Sequence, residues 1–192
     1  MLSIKNNPSQ PPSDSVMVSD SDKVLINQVQ RKFVELCLSC APTSGAFRRT
    51  RVVKALGEFI SLCQHPLIDQ VVVVDASLIF TTHMISIQRH PIGKYTICVS
   101  PGAEQEVSCF NNHPISSAED KTLYHGPHVI GNDGELCIRG ADQTILKYNI
   151  KSGSLKDAAF LILDALQQTS GTPYMSLGDW LSLKKELKHG ST

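Results

Sequence analysis

Apolar residues recur at helical spacing twice in the first third of the chain. The first run follows Ser19 and Asp22, whose spacing is that of a capping box, and it predicts a helix that ends before Pro42 and Gly45. The second run predicts another amphipathic helix, which stops before Pro66 because the residue preceding a proline avoids helical backbone angles. The apolar positions are Leu25, Val29, Phe33, Leu36, Cys37 and Cys40 in the first run, and Val52, Leu56, Phe59, Ile60 and Cys63 in the second.

The pattern changes to that of β-strands from residue 70 onward. Runs rich in β-branched residues predict strands over residues 71–74, 78–87, 94–99 and 106–110. Proline and glycine supply the turns at residues 89–93 and 101–102. Consecutive strands with such short connections are assembled most simply as an antiparallel meander.

Helical spacing returns after residues 111–140, a long irregular stretch that is rich in His, Pro, Gly and Asn. Ser154 and Asp157 form a second capping-box pattern ahead of an apolar run that extends to Leu166, and a last helix is predicted over residues 179–188. The order of helices, strands, irregular segment and helices predicts an α+β fold, in which helices flank one face of an antiparallel β-meander.

Length and composition indicate one domain preceded by a tail. The chain has 192 residues, which is the length of a single ordinary domain. Residues 1–20 contain several prolines and serines and few apolar side chains, so they bury too little surface to offset the entropy of ordering. They are predicted to be a disordered N-terminal tail, and residues 21–192 are predicted to form one α+β domain.

Charge and hydropathy exclude several classes of partner. Because 18 Lys and Arg residues balance 18 Asp and Glu residues, the chain lacks the basic excess of a general nucleic-acid binder, and no nucleic-acid partner is predicted. No apolar run approaches the roughly 20 residues that cross a bilayer, and the N-terminus has no apolar core typical of a secretory signal. We therefore expect a cytoplasmic protein without a membrane partner, whose six cysteines remain thiols.

Motifs for cofactors and metals are absent. The chain has neither the GxGxxG loop of nucleotide-binding proteins nor the HExxH motif of zinc enzymes, so no cofactor and no metal are predicted. Cys37 and Cys40 form an isolated CxxC on the apolar face of the first helix, and both are interpreted as core residues. Arg48, Arg49 and Arg51 cluster in the second helix, where they form either a solvated face or a docking site for an acidic protein.

Residues 124–140 concentrate the groups that can do chemistry. This segment holds His125, His128 and Cys137 around a turn at residues 132–134. Three chemistries fit these residues: a zinc site, a cysteine hydrolase with one imidazole as base, and carriage of an acyl group as a thioester on the cysteine. The remaining interpretation is a half-buried thiol among ordinary loop histidines.

The same segment resembles the active-site region of ubiquitin-conjugating enzymes. That family carries His-Pro-Asn, an apolar residue, a short turn with glycine, and an Ile/Leu-Cys-Leu string, and this chain has Pro-His-Val at residues 127–129, Asp-Gly at 133–134 and Leu-Cys-Ile at 136–138. It is most similar to divergent prokaryotic and phage members, in which a helix and a late Tyr, Leu and Trp pattern follow. The late pattern in this chain is Tyr174, Leu177 and Trp180.

The resemblance implies a ubiquitin-conjugating fold and a transferase activity in which Cys137 carries a ubiquitin-like modifier as a thioester. His128 stands in the place of the family's asparagine, and the resemblance implies that it donates to the oxyanion or orients the site, while His125 supports the loop. Among charged neighbours, Arg139 favours the thiolate, whereas Asp133 and Glu135 oppose it.

The resemblance also implies an activating, adenylating enzyme as a second partner. The N-terminal helix of the family meets that enzyme through basic residues, a role that would fall to Arg48, Arg49 and Arg51. Tyr174 and Trp180 are interpreted as packing anchors. Two alternatives stay open, a catalytically silent binding module of the same fold and a cysteine hydrolase.

Overall fold

The structure, a computed structural model, describes residues 4–5, 19–41, 45–116, 121–168 and 174–189. Most of the predicted tail, residues 1–20, therefore lies outside the described residues, as does the predicted helix break at Pro42. Within residues 1–20, Ile4–Lys5 forms a short strand and Asp20 begins the first helix.

Five helices occur in the described part of the chain. They are α1 (Asp20–Cys40), α2 (Ala46–Gln64), α3 (Ala141–Ser152), α4 (Leu155–Gln167) and α5 (Leu177–His189). The predicted cap of α1 is confirmed, because the Ser19 hydroxyl accepts a hydrogen bond from the Asp22 amide at 3.2 Å. The end of α2 before Pro66 is confirmed as well.

The described residues form eleven strands, nine of which belong to one antiparallel sheet. The strands are β1 (Ile4–Lys5), β2 (Ile68–Val74), β3 (Ser77–Thr82), β4 (Ile85–Ile87), β5 (His90–Gly93), β6 (Tyr95–Val99), β7 (Val107–Asn111), β8 (Ile115–Ser116), β9 (Leu123–Gly126), β10 (Val129–Ile130) and β11 (Glu135–Leu136). The order across the large sheet is β1-β2-β3-β6-β7-β11-β10-β9-β8, and β4 pairs with β5. The predicted antiparallel meander is β2, β3, β6 and β7.

The prediction of one continuous strand over residues 78–87 is wrong. The run divides at His83 and Met84, after which β4 leaves the large sheet and pairs with β5. The predicted turn at residues 89–93 is mostly β5, and the hairpin reverses instead at Gln88 and Arg89, which have φ angles of 47° and 66°. A tight hairpin turn is predicted from glycine or asparagine, which adopt the left-handed conformation easily. Here Gln88 and Arg89 adopt that conformation, so the sequence contains no sign of the reversal.

The segment predicted as irregular contains the four short strands β8 to β11. Each has only two to four residues, which is too short to show the alternation of a strand in the sequence. Their pairing extends the sheet beyond β7, because β11 pairs with β7 through Glu135 and Ser108.

Helix α3 has no counterpart among the predicted elements. Only Leu146 and Ile150 are buried in it, whereas Ile145 and Tyr148 are 48% and 70% exposed. Apolar residues on both faces blur the amphipathic pattern from which a helix is predicted.

The N-terminus of α4 is capped from α2 rather than by its own serine. Ser154 makes no capping bond, so the second capping-box prediction is wrong. Its hydroxyl accepts a hydrogen bond from Nζ of Lys54 at 3.0 Å. The carboxylate of Glu58 accepts from the Lys156 amide, and burial raises the pKa of that carboxyl group.

Helices cover one face of the sheet. Residues of β3 and β6 alternate between buried and half-buried, as expected when one sheet face packs on the core. Helices α1 and α2 contact β2, and α4 packs against α2 and α3. The predicted α+β fold class is therefore confirmed.

Within the described residues, no helix combines the length and the apolar character needed to cross a bilayer.

Candidate functional site

Strands β10 and β11 form a tight hairpin that presents Cys137 directly after its second strand. Val129 pairs with Leu136 in this hairpin. The turn has glycine in the left-handed conformation at both ends, with φ angles of 84° at Gly131 and 67° at Gly134. The turn predicted at residues 132–134 is thus confirmed.

Gly134 lets the hairpin approach β7 closely. The amide of Cys109 donates to the Gly134 carbonyl at 2.9 Å, and a Cβ atom at Gly134 would overlap the Cys109 carbonyl. On the other side of the turn, Nε2 of Gln105 donates to the Asp133 carbonyl at 3.0 Å. These contacts fasten the segment that carries Cys137 to the central meander.

His125 is buried, and both of its ring nitrogens bond to backbone atoms. Nδ1 accepts from the Asn111 amide at 3.0 Å, and Nε2 lies 3.1 Å from the Gly131 carbonyl, to which it donates because a carbonyl only accepts. The ring is therefore the neutral Nε2–H tautomer, and burial lowers its pKa. Neither nitrogen is left to take a proton from a thiol.

Side chains from two strands of the sheet fix the backbone carbonyl of His125 by hydrogen bonds. It accepts hydrogen bonds from the Tyr95 hydroxyl at 2.7 Å and from Nδ2 of Asn111 at 2.8 Å. A Cβ atom at Gly126 would overlap the Tyr95 hydroxyl, so glycine is required where β9 passes over this network. Tyr95 and Asn111 are both buried, and sequence reasoning did not identify either as part of the site.

His128 connects Cys137 to helix α4. The amide of Cys137 donates to the His128 carbonyl at 2.8 Å, and Nε2 of the buried imidazole lies 2.9 Å from the Gln168 carbonyl, which follows α4. Since Nε2 carries the proton in this bond, the neutral ring has no second N–H with which to stabilise an oxyanion.

Cys137 is half-buried at a bend in the chain. The Ile138 amide donates to the Leu136 carbonyl at 3.1 Å, which closes a three-residue turn centred on Cys137. Leaving β11, the chain therefore turns at the cysteine rather than continuing as a strand.

Tyr174 lies within electrostatic range of Cys137, which sequence reasoning missed. Its hydroxyl donates a hydrogen bond to the exposed Glu135 carboxylate. Burial and then Glu135 and Cys137 raise the pKa of Tyr174 to about 12, whereas Arg139 acts in the opposite direction. The Glu135 carboxylate, the Cys137 thiol and the Arg139 guanidinium therefore all lie within electrostatic range of the Tyr174 hydroxyl.

The segment before α5 is attached to the site by its backbone. The Met175 amide donates to the Pro127 carbonyl at 3.2 Å, and the Ser176 hydroxyl caps α5 by accepting from the Asp179 amide at 3.1 Å. Trp180 is fully buried, which confirms its interpretation as a packing anchor. These contacts fix the backbone that follows Tyr174 beside Pro127.

The other five cysteines differ from Cys137 in their surroundings. Cys37 and Cys109 are buried, as expected of core residues, whereas Cys40, Cys63 and Cys98 are half-buried like Cys137. Burial raises the pKa of Cys37 to about 12 and that of Cys63 to about 11, and it also raises the pKa of Cys40 and Cys109. Exposure alone therefore does not single out Cys137 among the six thiols.

The three arginines of α2 do not form one surface. Arg48 and Arg49 are exposed. Arg51 is half-buried, and its guanidinium donates to the carbonyls of Ala41, Cys37 at 3.1 Å and Ser152 at 3.0 Å. Arg51 thus joins the C-terminal ends of α1 and α3 instead of facing outward with the other two.

The zinc interpretation of residues 124–140 has no geometric support. Nε2 of His125 and Nε2 of His128 both bond to backbone carbonyls rather than converging on Cys137. Within the described residues, no group of three or more His, Cys, Asp or Glu side chains is arranged to hold a metal ion.

No protein-family model, curated protein or solved structure matches this chain. The resemblance to ubiquitin-conjugating enzymes therefore depends on the short motif around Cys137 and on the order of the elements. Both are properties of this chain alone.

Proposed function

We propose that this chain is a ubiquitin-conjugating-enzyme-like transferase, which carries a ubiquitin-like modifier as a thioester on Cys137. The observation that carries the proposal is the 2.8 Å hydrogen bond from the Cys137 amide to the His128 carbonyl. Through this bond the Pro-His-Val string lies beside the Leu-Cys-Ile string. Two halves of a motif that are separated by a turn need this proximity if they are to serve one site.

The order of the elements supports the same proposal. After the short strand β1, two helices precede the antiparallel meander β2, β3, β6 and β7. The segment with the cysteine and then three further helices follow. This is the order that the resemblance implies, with α2 as an additional helix before the sheet. The proposal includes a ubiquitin-conjugating fold over residues 21–192.

The chemistry of thioester exchange suits a cysteine without a nearby free base. The Cys137 thiolate attacks the carbonyl carbon of the modifier's thioester, the bond to the activating enzyme's sulfur breaks, and that sulfur leaves as a thiolate. In the second step an acceptor amine attacks the new thioester, Cys137 leaves as a thiolate, and the amine's proton passes to solvent. A cysteine hydrolase instead needs a base beside the thiol, and the ring nitrogens of His125 already bond to the backbone.

We assign His128 an orienting role in this function. Its carbonyl holds the Cys137 amide while its ring anchors the loop to Gln168. His125 supports the loop from the other side, through Asn111 and Gly131.

The proposed docking surface for the activating enzyme is the exposed side of α2. Arg48 and Arg49 lie near exposed apolar residues of the same helix, and its first turn has no acidic residue. A partner with acidic and apolar side chains would complement this surface. Arg51 is left out of the proposal because its guanidinium binds backbone carbonyls. The exposed apolar residues are Phe47, Val53 and Ile60.

A loading assay tests the proposal. The full chain is incubated with ATP and with an activating enzyme and a ubiquitin-like protein from its own genome, and the products are separated without reductant. We expect an adduct that thiols cleave, and we expect Cys137→Ser to lose it while Cys98→Ser, at another half-buried thiol, retains it. Absence of a thiol-sensitive adduct, or its persistence in Cys137→Ser, would contradict the proposal.

The same assay tests the docking surface. We expect the double variant Arg48→Glu and Arg49→Glu to load more slowly, because it reverses the charge that an acidic partner meets. Arg89→Glu is the control, because Arg89 is also exposed but lies in the β4–β5 turn. Equal slowing by both changes would indicate a general charge effect.

A catalytically silent binding module is the second candidate. It is favoured by the bond from His128 to Gln168, which leaves the neutral ring without a donor for an oxyanion. This function predicts no thioester and partner binding that Cys137→Ala leaves unchanged. Binding measured by calorimetry, together with the loading assay, separates the two candidates.

A further inference from the structure

Cys37 and Cys40 lie in the last turn of α1 and differ in accessibility. Cys37 is 2% exposed, whereas Cys40 is half-buried and lines a cavity of about 280 Å³. Pro101, Glu106 and Lys151 border the same cavity, so a small molecule that enters it reaches Cys40. The interpretation of both cysteines as core residues therefore fits Cys37 but not Cys40.

The spacing of the two cysteines brings their thiols near each other. Residues three apart in an α-helix have Cα atoms about 5 Å apart, which is a separation that disulfides span. Their Cβ atoms lie about 5 to 6 Å apart and must approach to about 4 Å before a disulfide forms. Because α1 ends at Cys40 and Ala41 is extended, only the last turn of the helix has to rearrange.

Hydrogen bonds hold this last turn in its present shape. Sγ of Cys40 donates to the Leu36 carbonyl at 3.2 Å. The guanidinium of Arg51 donates to the Ala41 carbonyl and, at 3.1 Å, to the Cys37 carbonyl. The same guanidinium donates at 3.0 Å to the carbonyl of the last residue of α3, so Arg51 couples the turn to the joint between α1 and α3.

We propose that Cys37 and Cys40 are a redox-active dithiol that low-molecular-weight disulfides oxidise, and that the disulfide bond they form loosens the Arg51 joint between α1 and α3. Cys40 is the thiol that the small disulfide reaches, through the cavity, and Cys37 is the thiol that resolves the intermediate. The proposal goes beyond the transferase function and does not depend on it, because Cys137 takes no part in this site.

The reaction consists of two thiol–disulfide exchanges. The Cys40 thiolate attacks one sulfur of the small disulfide, a mixed disulfide forms, and the other half leaves as a thiolate. The Cys37 thiolate then attacks the Cys40 sulfur, and the bound half leaves as a second thiolate. Each cysteine loses one proton and one electron, and the small disulfide gains two protons and two electrons to become two thiols.

Burial affects both the rate and the equilibrium of this reaction. It raises the pKa of both thiols, so the thiolate that attacks a disulfide is scarce at neutral pH and the bridge forms slowly. The same effect makes the bridge hard to reduce, because the reduced form gains no stability from a thiolate.

Incubation of the full reduced chain with glutathione disulfide, followed by tryptic digestion and mass spectrometry without reductant, tests the proposal. Trypsin cleaves after Lys32 and Arg48, so residues 33–48 form one peptide whose only cysteines are Cys37 and Cys40. We expect this peptide to lose two hydrogens in the wild type. In Cys37→Ser, a mixed disulfide should accumulate on Cys40 at least about tenfold faster than on Cys37 in Cys40→Ser.

Three results would overturn the proposal: an unmodified peptide, a mixed disulfide that persists in the wild type, or equal rates in the two single variants. Cys63→Ser is the matched control, because Cys63 is also half-buried but does not line this cavity, and it should leave oxidation of residues 33–48 unchanged. The buried Cys109 should stay unmodified throughout, as long as the fold is intact.

The stability of the oxidised chain tests the coupling to Arg51. If the disulfide loosens the joint, Arg51→Met should lower the midpoint of urea unfolding by less in the oxidised chain than in the reduced chain. Arg49→Met, on the exposed side of the same helix, should have the same small effect in both. Equal shifts by Arg51→Met in the two redox states would overturn the coupling. Since neither measurement needs a modifier or an activating enzyme, failure of the loading assay is a separate outcome.

Discussion

At the scale of single residues, His125 is a histidine of the candidate site whose ring nitrogens are both used in hydrogen bonds to the backbone. Its ring accepts from the Asn111 amide and donates to the Gly131 carbonyl, and only the unprotonated ring can do both. Protonation would place an N–H group at Nδ1, facing another N–H group. The residue that looks like a base therefore joins β7, β9 and the hairpin turn.

This arrangement predicts a loss of stability in acid. Burial holds the pKa of His125 below its ordinary value of 6.5, so below that pH the unfolded chain binds a proton that the folded chain does not. Stability should therefore be fully present above the unfolded pKa and fall as the pH falls through this window. Thermal unfolding from about pH 7.5 to about pH 5.5 measures the slope.

The control for this prediction is His90→Gln, because His90 is exposed on β5. We expect His125→Gln to flatten the dependence on pH and His90→Gln to leave it unchanged. A residual slope in His125→Gln is expected from His65, whose pKa burial also lowers. An identical slope in the wild type and in His125→Gln would contradict the assignment.

At the scale of elements, α2 has an inner and an outer role. Its outer side carries Arg48, Arg49 and exposed apolar residues, whereas Arg51 points inward and donates to carbonyls at the ends of α1 and α3. Cations are favoured at helix C-termini, where the last carbonyls lack partners within the helix. Two adjacent helix ends thus share one guanidinium.

We expect Arg51→Met to lower the free energy of unfolding by about 1.5 to 3 kcal/mol, since several carbonyls lose a charged donor while the aliphatic stem is kept. Arg49→Met, on the exposed side of the same helix, should change it little. Urea unfolding followed by circular dichroism measures both. Equal effects would mean that the carbonyl contacts contribute nothing beyond helix propensity.

At the scale of the whole molecule, residues 125–128 connect the sheet, α4 and α5. The His125 carbonyl accepts hydrogen bonds from the sheet, the Pro127 carbonyl accepts one from the Met175 amide ahead of α5, and the His128 carbonyl accepts one from the Cys137 amide. Because these contacts come from distant parts of the chain, the site should form only when the whole domain folds.

The chain's single tryptophan reports on this cooperativity. Trp180 is fully buried in α5, so its fluorescence follows the docking of that helix, whereas circular dichroism follows all helices. We expect the two signals to give the same denaturation midpoint, as in a two-state transition of one domain. A fluorescence transition that precedes the loss of ellipticity would indicate that α5 undocks separately and that residues 21–192 do not unfold as one unit.

Much of the fold was predictable because long elements leave a periodic pattern. Helices α1 and α4 and the central meander have apolar spacing that matches their burial, whereas the apolar face predicted for α2 includes Ile60, which is 48% exposed. Helix α3 and the short strands β8 to β11 were not predictable, since the helix exposes apolar residues and the strands span too few residues. The spacing of apolar residues does not reveal such short strands, because their conformation is determined by the strands with which they pair.

The candidate site likewise has a part that the sequence predicts and a part that only the structure shows. Residue types and their spacing were enough to select His125, His128 and Cys137, because imidazoles, a glycine turn and a thiol cluster within residues 124–140. The partners Asn111 and Gln168, and the Tyr174 hydroxyl within electrostatic range of the thiol, lie outside that segment. Only the packing of the sheet against α4 and α5 brings those partners together, because a hydrogen bond depends on distances that the order of residues does not contain.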